Sequence, residues 1–367
     1  MFTLIVFILL LGVLVLVHEL GHFVTAIRLG VDVEEFGIGF PPRIFSFKRK
    51  GILYSINLLP LGGFVKIKGE NGDDTNNPKS FVNQKTWKKS LILSAGVLMN
   101  FLTAFVLLSL GFMIGMPQAV GPDTDLSQVK DKGVVIIEVL DQSPAYLAGL
   151  QIGDRLVKID DQEITNSDFV YDFIKENDNK ELNLLISRGD ELTEIKAQPS
   201  VMPGSDQAIL GLGMLDVGVI SYGFFTSLWQ GLQSTVSMTW QILAAFGNLL
   251  KDLVTTGKLS AGLSGPVGVA IMTGQVARLG LIYIMNFAAI LSINLAVLNI
   301  LPFPALDGGR LAFVLLEKVR GKKISEKIEA IFHNSGFALL MLLIIVITWR
   351  DVAKYGDQIW LAIKNIF

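Results

Sequence analysis

The sequence predicts a polytopic α-helical membrane protein with four transmembrane helices, a membrane-associated β-hairpin and an α+β extracytoplasmic domain. Composition is the first reason: 51% of the 367 residues are apolar and 17% are charged, and the mean hydropathy is +0.53. These values are typical of an integral membrane protein that carries a soluble portion. The second reason is a set of long apolar segments, and the third is the difference in charge between the loops that join them.

Four apolar segments are long enough to cross a bilayer. At about 1.5 Å per residue, a helix over the first segment is roughly 39 Å long, which exceeds the ~30 Å of a hydrocarbon core. A fifth segment, Phe224–Leu250, carries many Gln, Ser, Thr and Asn residues, and we predict an amphipathic helix at the membrane interface there. The four predicted spans are Phe2–Ile27, Leu91–Met113, Leu281–Leu301 and Ile331–Trp349.

The charges of the connecting loops predict the orientation of the chain. Arg28–Ser90 holds 11 Lys and Arg residues against 6 Asp and Glu, and Gly308–Ala330 holds 6 against 3. Met116–Tyr222 holds 8 against 19. Because short basic loops stay in the cytosol, we expect both termini and the acidic domain on the outside. The overall net charge of −2 provides no basic field that would attract nucleic acid.

A pair of histidines interrupts the first span. His18 and His22 are four residues apart, so both imidazoles lie on one face of a helix and can bind one metal ion. Glu19 lies about 100° further round, which suits a residue that acts on a metal-bound water better than a third ligand. The chain has three histidines and no cysteine, so the ligands of a metal must be His, Asp or Glu. The alternative is a pair of hydrogen-bonded core histidines.

The third ligand is predicted from the end of the third span. A catalytic zinc usually has three protein ligands and one position open to water. Asp307 is the stronger candidate and His333 the other. Asp307 lies in Asn299–Gly309, whose two prolines and two glycines cannot continue a helix, so we expect the span to unwind near its cytosolic end. The first and third spans run in the same direction, which brings Asp307 to the level of the histidine pair. The alternative role of Asp307 is the N-cap of a helix over Arg310–Val319.

The first cytosolic loop contains strand-like runs at Arg43–Phe47, Leu53–Leu58 and Phe64–Lys68. Apolar residues surround the turns between them. A hairpin that dips into the bilayer beside the first helix and a short sheet on the membrane surface both fit this pattern.

The outer domain, roughly Gly121–Met214, mixes short strands with helices. It holds no ionisable cluster that suggests catalysis, so we expect its role to be binding. Its predicted elements are strands at Gly133–Leu140, Leu156–Ile159 and Leu182–Ser187, a helix at Tyr146–Gly149 and an amphipathic helix at Asp168–Glu176. The whole chain is then divided into an N-terminal membrane half (1–115), the outer domain (116–215), an interfacial helix and linker (216–280) and a C-terminal membrane half (281–367).

Together these residues resemble the site-2 protease family of intramembrane zinc metalloproteases, in particular the bacterial branch typified by the regulator-of-sigma-E protease. The resemblance covers nearly the whole chain and rests on His-Glu-x-x-His in the first span and Asn-x-x-Pro-x-Pro-x-Leu-Asp-Gly in the third. Gly37–Phe40 is similar to the glycine motif of the family's membrane-associated β-loop, Gly265–Gly268 to its glycine–proline motif, and Gly211–Met214 to a PDZ carboxylate-binding loop. The resemblance implies one PDZ-like domain between the second and third spans, where some relatives have two.

The resemblance implies that His18, His22 and Asp307 bind Zn²⁺ and that Glu19 is the general base. It also implies that two asparagines of the third span, Asn294 and Asn299, hydrogen-bond the substrate backbone near the cut. Pro302 and Pro304 are expected to keep the zinc loop non-helical and to leave unpaired carbonyls near the cleft. For both asparagines the alternative is a helix–helix hydrogen bond.

The sequence therefore predicts a metalloendopeptidase that hydrolyses peptide bonds within or near the transmembrane segments of single-span membrane proteins. The resemblance suggests anti-sigma factors and leftover signal peptides as substrates, in a bacterial cytoplasmic (inner) membrane, with the active site toward the cytosol. One alternative is a non-catalytic membrane protein that binds partners through its PDZ-like domain and holds a structural metal. Another is a zinc transporter, for which more His and Asp on several spans would be expected.

Overall fold

The computed structural model describes residues 2–70, 72, 74–120, 129–178, 180–189, 191–202, 207–257, 264–322 and 324–364. The chain divides into two compact units. We call them the membrane unit, made of Met1–Ser109, Leu228–Ala277 and Met285–Phe367, and the sheet unit, made of Leu110–Ser227 and Arg278–Ile284.

Among the described residues, four helices are long and apolar enough to cross a membrane, and they lie where the sequence predicts the spans. They are α1 (Phe2–Arg28), α2 (Thr86–Ile114), α7 (Leu281–Ile300) and the Lys327–Lys354 part of α9 (Glu326–Lys364). The predicted amphipathic helix is α5 (Phe224–Thr256), which is not among the four and ends at Thr256 rather than Leu250. The other helices are α3 (Pro144–Ala148), α4 (Ser167–Glu176), α5 (Phe224–Thr256), α6 (Pro266–Arg278) and α8 (Asp307–Arg320).

The predicted hairpin consists of β1 (Val33–Arg49) and β2 (Ile52–Ile67), which pair in antiparallel fashion along two different stretches. Phe36 lies opposite both Tyr54 and Val65, so the far end of β2 folds back along the other side of β1. Glycines at the bends permit this, because Gly39 (φ +75°) and Gly62 (φ +122°) adopt conformations that L side chains disfavour. The result is a sheet whose edge is Gly63–Ile67.

The turn-back of β2 packs against the middle of α1. A Cβ on Gly62 would lie 2.7 Å from Val15 Cγ1, and a Cβ on Gly12 would lie 3.1 Å from Pro60 O. Gly12 precedes the histidine pair and lies well inside the apolar part of α1. The hairpin therefore extends beside the first helix past the level of His18, and several apolar side chains on it are exposed, including Ile44, Phe45, Leu58, Leu59 and Leu61.

The sheet unit contains a seven-stranded antiparallel sheet in the order β3-β11-β4-β5-β7-β8, with β6 paired to β5. Alternate residues of β7 point into its core, which α4 covers with an apolar face. A separate pair, β9 and β10, is also antiparallel. The strands are β3 (Met116–Ala119), β4 (Val129–Val139), β5 (Arg155–Ile159), β6 (Gln162–Glu163), β7 (Leu182–Arg188), β8 (Glu191–Ala197), β9 (Ser200–Val201), β10 (Ala208–Ile209) and β11 (Leu212–Ile220).

The short strands and helices predicted for the outer domain overlap β4, β5, β7, α3 and α4. The largest difference among these is in β4, which begins at Val129 rather than Gly133. The helix α3 begins at Pro144 rather than Tyr146 because the Ser143 side chain caps it by accepting from Tyr146 N. Proline suits the first turn of a helix, where its missing N–H is not needed. The helix ends before Gly149, whose φ of +86° is left-handed.

Candidate metal centre

Three possible ligand atoms from distant parts of the chain meet at one point. His18 Nε2 lies 2.8 Å from Asp307 Oδ2, and His22 Nε2 lies 3.3 Å from the same oxygen. The two Nε2 atoms are 3.2 Å apart. The imidazoles are buried, and the Asp307 side chain is 25% exposed. Two imidazole nitrogens and a carboxylate oxygen form a donor set that suits zinc, so these residues could hold a metal ion.

The surroundings of His22 fit a metal ligand. Its Nδ1 lies 2.8 Å from the carbonyl oxygen of Ile92 in α2. Because a carbonyl oxygen only accepts, Nδ1 must carry the ring proton of the neutral imidazole. The lone pair of Nε2 then faces His18 and Asp307, which is the usual arrangement of a metal-binding histidine.

Two glycines allow α8 to present Asp307. A Cβ on Gly308 would collide with the carbonyl oxygens of Ile300 and Leu301, and one on Gly309 with that of Phe303. The first turn of α8 therefore packs directly on the last carbonyls of α7 and on the loop after it. The N-cap of α8 is Leu306, so Asp307 lies within the first turn and directs its side chain at the histidines instead of capping the helix.

The α7–α8 loop is held from its other side by α9. Ala305, whose φ is +70°, donates its N–H to His333 Nδ1 at 3.0 Å. Gly336 lies directly against Pro304, since a Cβ there would collide with the proline ring. His333, the other candidate third ligand, is thus hydrogen-bonded to the loop and is not in the cluster of ligand atoms.

Glu19 faces the edge of the hairpin sheet. Its Oε2 accepts the backbone N–H of Val65 at 3.1 Å. Val65 pairs with Phe36 of β1 on its other side, so this N–H lies on the outer edge of the sheet. One carboxylate oxygen of Glu19 is thereby fixed beside both the histidine pair and the outer edge of β2.

An ion pair between Glu70 and Arg310 links the end of the hairpin to α8, three residues beyond Asp307. Burial raises the pKa of the Glu70 carboxyl, and the guanidinium of Arg310 acts in the opposite direction. The pair joins two segments of the membrane unit that both contribute to the surroundings of the candidate ligands.

The two asparagines differ in their surroundings. Asn299 Nδ2 lies 3.3 Å from His18 Nε2, so this side chain belongs to the cluster. Asn294 instead donates to Ile290 O on its own helix at 3.1 Å. Pro302 and Pro304 lie in the non-helical loop between Ile300, the last residue of α7, and Asp307, the first residue of α8. Chain unwinding at this point agrees with the prediction.

The sequence reasoning missed the part that α2 plays. A Cβ on Gly96 would lie 2.7 Å from His18 Nε2 and closer still to His22 Nε2, so only glycine leaves room for both imidazoles. Asn100 is fully buried and lies 3.3 Å from His18 Nδ1. A glycine and an asparagine inside an apolar span were the available signals, but their partners depend on how two helices pack.

The sheet unit contains a groove of about 320 Å³. Its lining includes Tyr171 and Lys175 of α4 and the Gly211–Met214 segment. Gly211 has a φ of +76° and directly precedes β11. It lines the groove together with the first residues of that strand. The segment predicted to resemble a carboxylate-binding loop therefore lies beside a helix that presents a lysine.

The four apolar helices and the buried pair of histidines facing an aspartate place the protein in the class of membrane metalloenzymes. The sequence matches the model of peptidase family M50 over residues 6–343, and the chain belongs to this family. It is an intramembrane zinc metalloprotease, and its cofactor is Zn²⁺.

Curated relatives match almost end to end. A protein called zinc metalloprotease RasP from Bacillus licheniformis is 32% identical, with 96% of this chain and 99% of the relative covered. The regulator of sigma-W protease RasP from Bacillus subtilis is 31% identical, with 96% and 98% covered. A putative zinc metalloprotease from Clostridium perfringens is 35% identical, with 92% and 95% covered.

A solved structure also matches part of the chain. The PDZ domain of an SdrC-like protein from Listeria innocua covers 22% of this chain and 92% of its own, with 23% identity. Its TM-score of 0.21 is too low to support an argument about the fold.

Proposed function

We propose that His18, His22 and Asp307 bind the catalytic zinc ion of this protease and that Glu19 is its general base. The observation that carries the proposal is the convergence of the three ligand atoms, all within 3.3 Å of one another. Three protein ligands leave one coordination position for water, as catalytic zinc sites require. A structural zinc site is closed by a fourth protein ligand, and among the described residues the cluster contains no fourth His, Asp or Glu.

When bound, Zn²⁺ polarises the scissile carbonyl and lowers the pKa of a water toward about 7. Glu19 accepts the proton of the attacking water on its carboxylate and returns it to the leaving amine. The hydrogen bond from Val65 N–H to Oε2 limits the rotation of this carboxylate. Asn299, beside His18, donates an amide N–H to the substrate where the peptide carbonyl is attacked.

The edge of β2 supplies a place for the substrate backbone. A transmembrane helix hides its peptide groups in internal hydrogen bonds, so it must unwind before it is cleaved. Residues Gly63–Ile67 form the sheet edge that faces Glu19, and an unwound segment can add to it as a further strand. Asn294 and the carbonyls of the loop around Pro302 and Pro304 satisfy other backbone groups that lipid cannot.

The substrates are single-span membrane proteins, with anti-sigma factors and leftover signal peptides as the proposed classes. The family resemblance supports this, as does a relative from Bacillus subtilis named as a regulator of sigma-W protease. The family resemblance suggests a bacterial inner membrane. The loop charges support an orientation with both termini and the PDZ-like sheet unit outside and the metal centre toward the cytosol. The proposed division of the chain has its boundaries at residues 115, 215 and 280.

The test is cleavage of a single-span reporter by purified protein in detergent or vesicles, with zinc content measured on the same samples. Glu19→Gln is expected to slow cleavage by about 10²- to 10⁴-fold, the usual contribution of a general base, and to leave zinc near one per chain. The matched control is Glu181→Gln, which removes an exposed carboxylate paired with Lys196 in the sheet unit and should change neither quantity.

Removal of zinc by a chelator should abolish cleavage, and added zinc should restore it. Cleavage by the Glu19→Gln protein at the wild-type rate would overturn the assignment of the general base. Membrane peptides that accumulate in cells carrying Glu19→Gln then identify the natural substrates by mass spectrometry.

A further inference from the structure

We propose that Asn100 is a positioning residue that holds His18 for zinc by accepting its Nδ1–H with the side-chain carbonyl oxygen. The inference rests on the proposed role of His18 as a zinc ligand. It concerns α2, a helix that contributes none of the proposed ligands.

One stripe of α2 faces both histidines. Ile92, Gly96 and Asn100 are spaced by four residues and therefore lie on one face of the helix. The Ile92 carbonyl meets His22 Nδ1, Asn100 meets His18 Nδ1, and Gly96 leaves space between them for both rings. The order along α2 is the reverse of that along α1, as expected for two antiparallel helices. Each ring is thus contacted at Nδ1 from α2 and at Nε2 from the metal side.

The chemistry of His18 determines which atom Asn100 must present. His18 Nε2 faces Asp307 at 2.8 Å, so a zinc-binding His18 has its lone pair on Nε2 and its proton on Nδ1. The amide atom nearest Nδ1, at 3.3 Å, is Nδ2, and two donors cannot form a hydrogen bond. Rotation of the amide by 180° exchanges the two atoms and places Oδ1, an acceptor, at this position.

The remaining amide atom does not alter this preference. Asn100 Oδ1 makes no hydrogen bond with any residue that the structure describes, so one amide atom is unpaired in either orientation. Only the contact with His18 distinguishes the two, and it favours Oδ1. The Asn100 backbone is fixed as well, because its carbonyl accepts the hydroxyl of Ser292 in α7 at 2.8 Å.

This arrangement is tested by zinc competition titration of the full-length protein in detergent. Asn100→Leu keeps a similar volume and removes both polar atoms, and we expect zinc to bind about 10- to 100-fold more weakly, as when an outer partner of a metal-binding histidine is lost. Asn100→Asp retains only acceptor atoms, so it should bind zinc at least as tightly as wild type. The matched control is Thr103→Val on the same helix, whose hydroxyl donates to Met99 O one turn earlier, and it should leave the affinity unchanged.

Melting curves of the zinc-free proteins separate positioning from folding, since a positioning role predicts similar zinc-free melting temperatures for all variants. Unchanged zinc affinity in Asn100→Leu would overturn the inference. Equal weakening in Asn100→Leu and Asn100→Asp would also overturn it, because an acceptor would then not suffice. His18→Ala is the arm that tests the underlying proposal: if it binds zinc as wild type does, His18 is not a ligand at all.

Discussion

Residue types and spacing predict much of the metal centre. Two histidines four apart share a helical face whatever their surroundings, and the aspartate lies between two prolines and two glycines, where a helix is expected to break. These two signals led to His18, His22 and Asp307, which the fold brings together. The contributions of α2 could not be predicted in the same way. Ile92 acts through a backbone carbonyl that its side chain does not reveal, and Gly96 acts through the absence of a side chain.

Gly96 gives a prediction at this scale. Gly96→Ala places a methyl group 2.7 Å from His18 Nε2 and Cε1, and such over-packing costs about 1–3 kcal/mol. We expect zinc affinity to fall by roughly tenfold or more, measured by competition titration. Gly247→Ala is the control, because a Cβ there has open space around it in α5. Wild-type zinc affinity in Gly96→Ala would show that α2 does not limit the space around the histidines.

Elements differ in how well the sequence determines them. The four spans follow from hydropathy, because a long apolar helix has no better environment than lipid. The break between α7 and α8 follows from its prolines and glycines. The double pairing of β1 does not follow, since it depends on which residues of β2 meet β1 after two bends. Strand-like runs were predictable, but the position of the edge beside Glu19 required the folded sheet.

The contact between α9 and the α7–α8 loop gives a prediction at the scale of elements. Gly336→Ala forces α9 away from Pro304, and the loop that ends at Asp307 loses its support. We expect weaker zinc binding and faster hydrogen exchange at the Ala305 amide, which donates to His333 in the wild-type protein. Gly356→Ala, on the same helix but with open space around its Cβ, should match wild type in both measurements. Slow exchange at Ala305 in Gly336→Ala would contradict this account of the loop.

At the scale of the whole molecule, loop charges predict which parts face the cytosol. The chain has no cysteine, so single cysteines can be introduced without background. Asp161→Cys in the sheet unit should react in intact cells with a thiol reagent that cannot cross membranes. Arg320→Cys at the end of α8 should react only after the membrane is opened, because its basic loop is predicted to be cytosolic. The reverse labelling pattern would contradict the proposed orientation.

The proposed mechanism depends on one zinc ion bound between α1 and the start of α8, which are far apart in sequence. Anomalous diffraction from crystals of the zinc-loaded protein, recorded at the zinc absorption edge, locates that ion directly. We expect one zinc peak about 2.0–2.2 Å from His18 Nε2, His22 Nε2 and a carboxylate oxygen of Asp307. A zinc peak bonded to the histidines with Asp307 out of reach, or a peak elsewhere in the chain, would contradict this expectation.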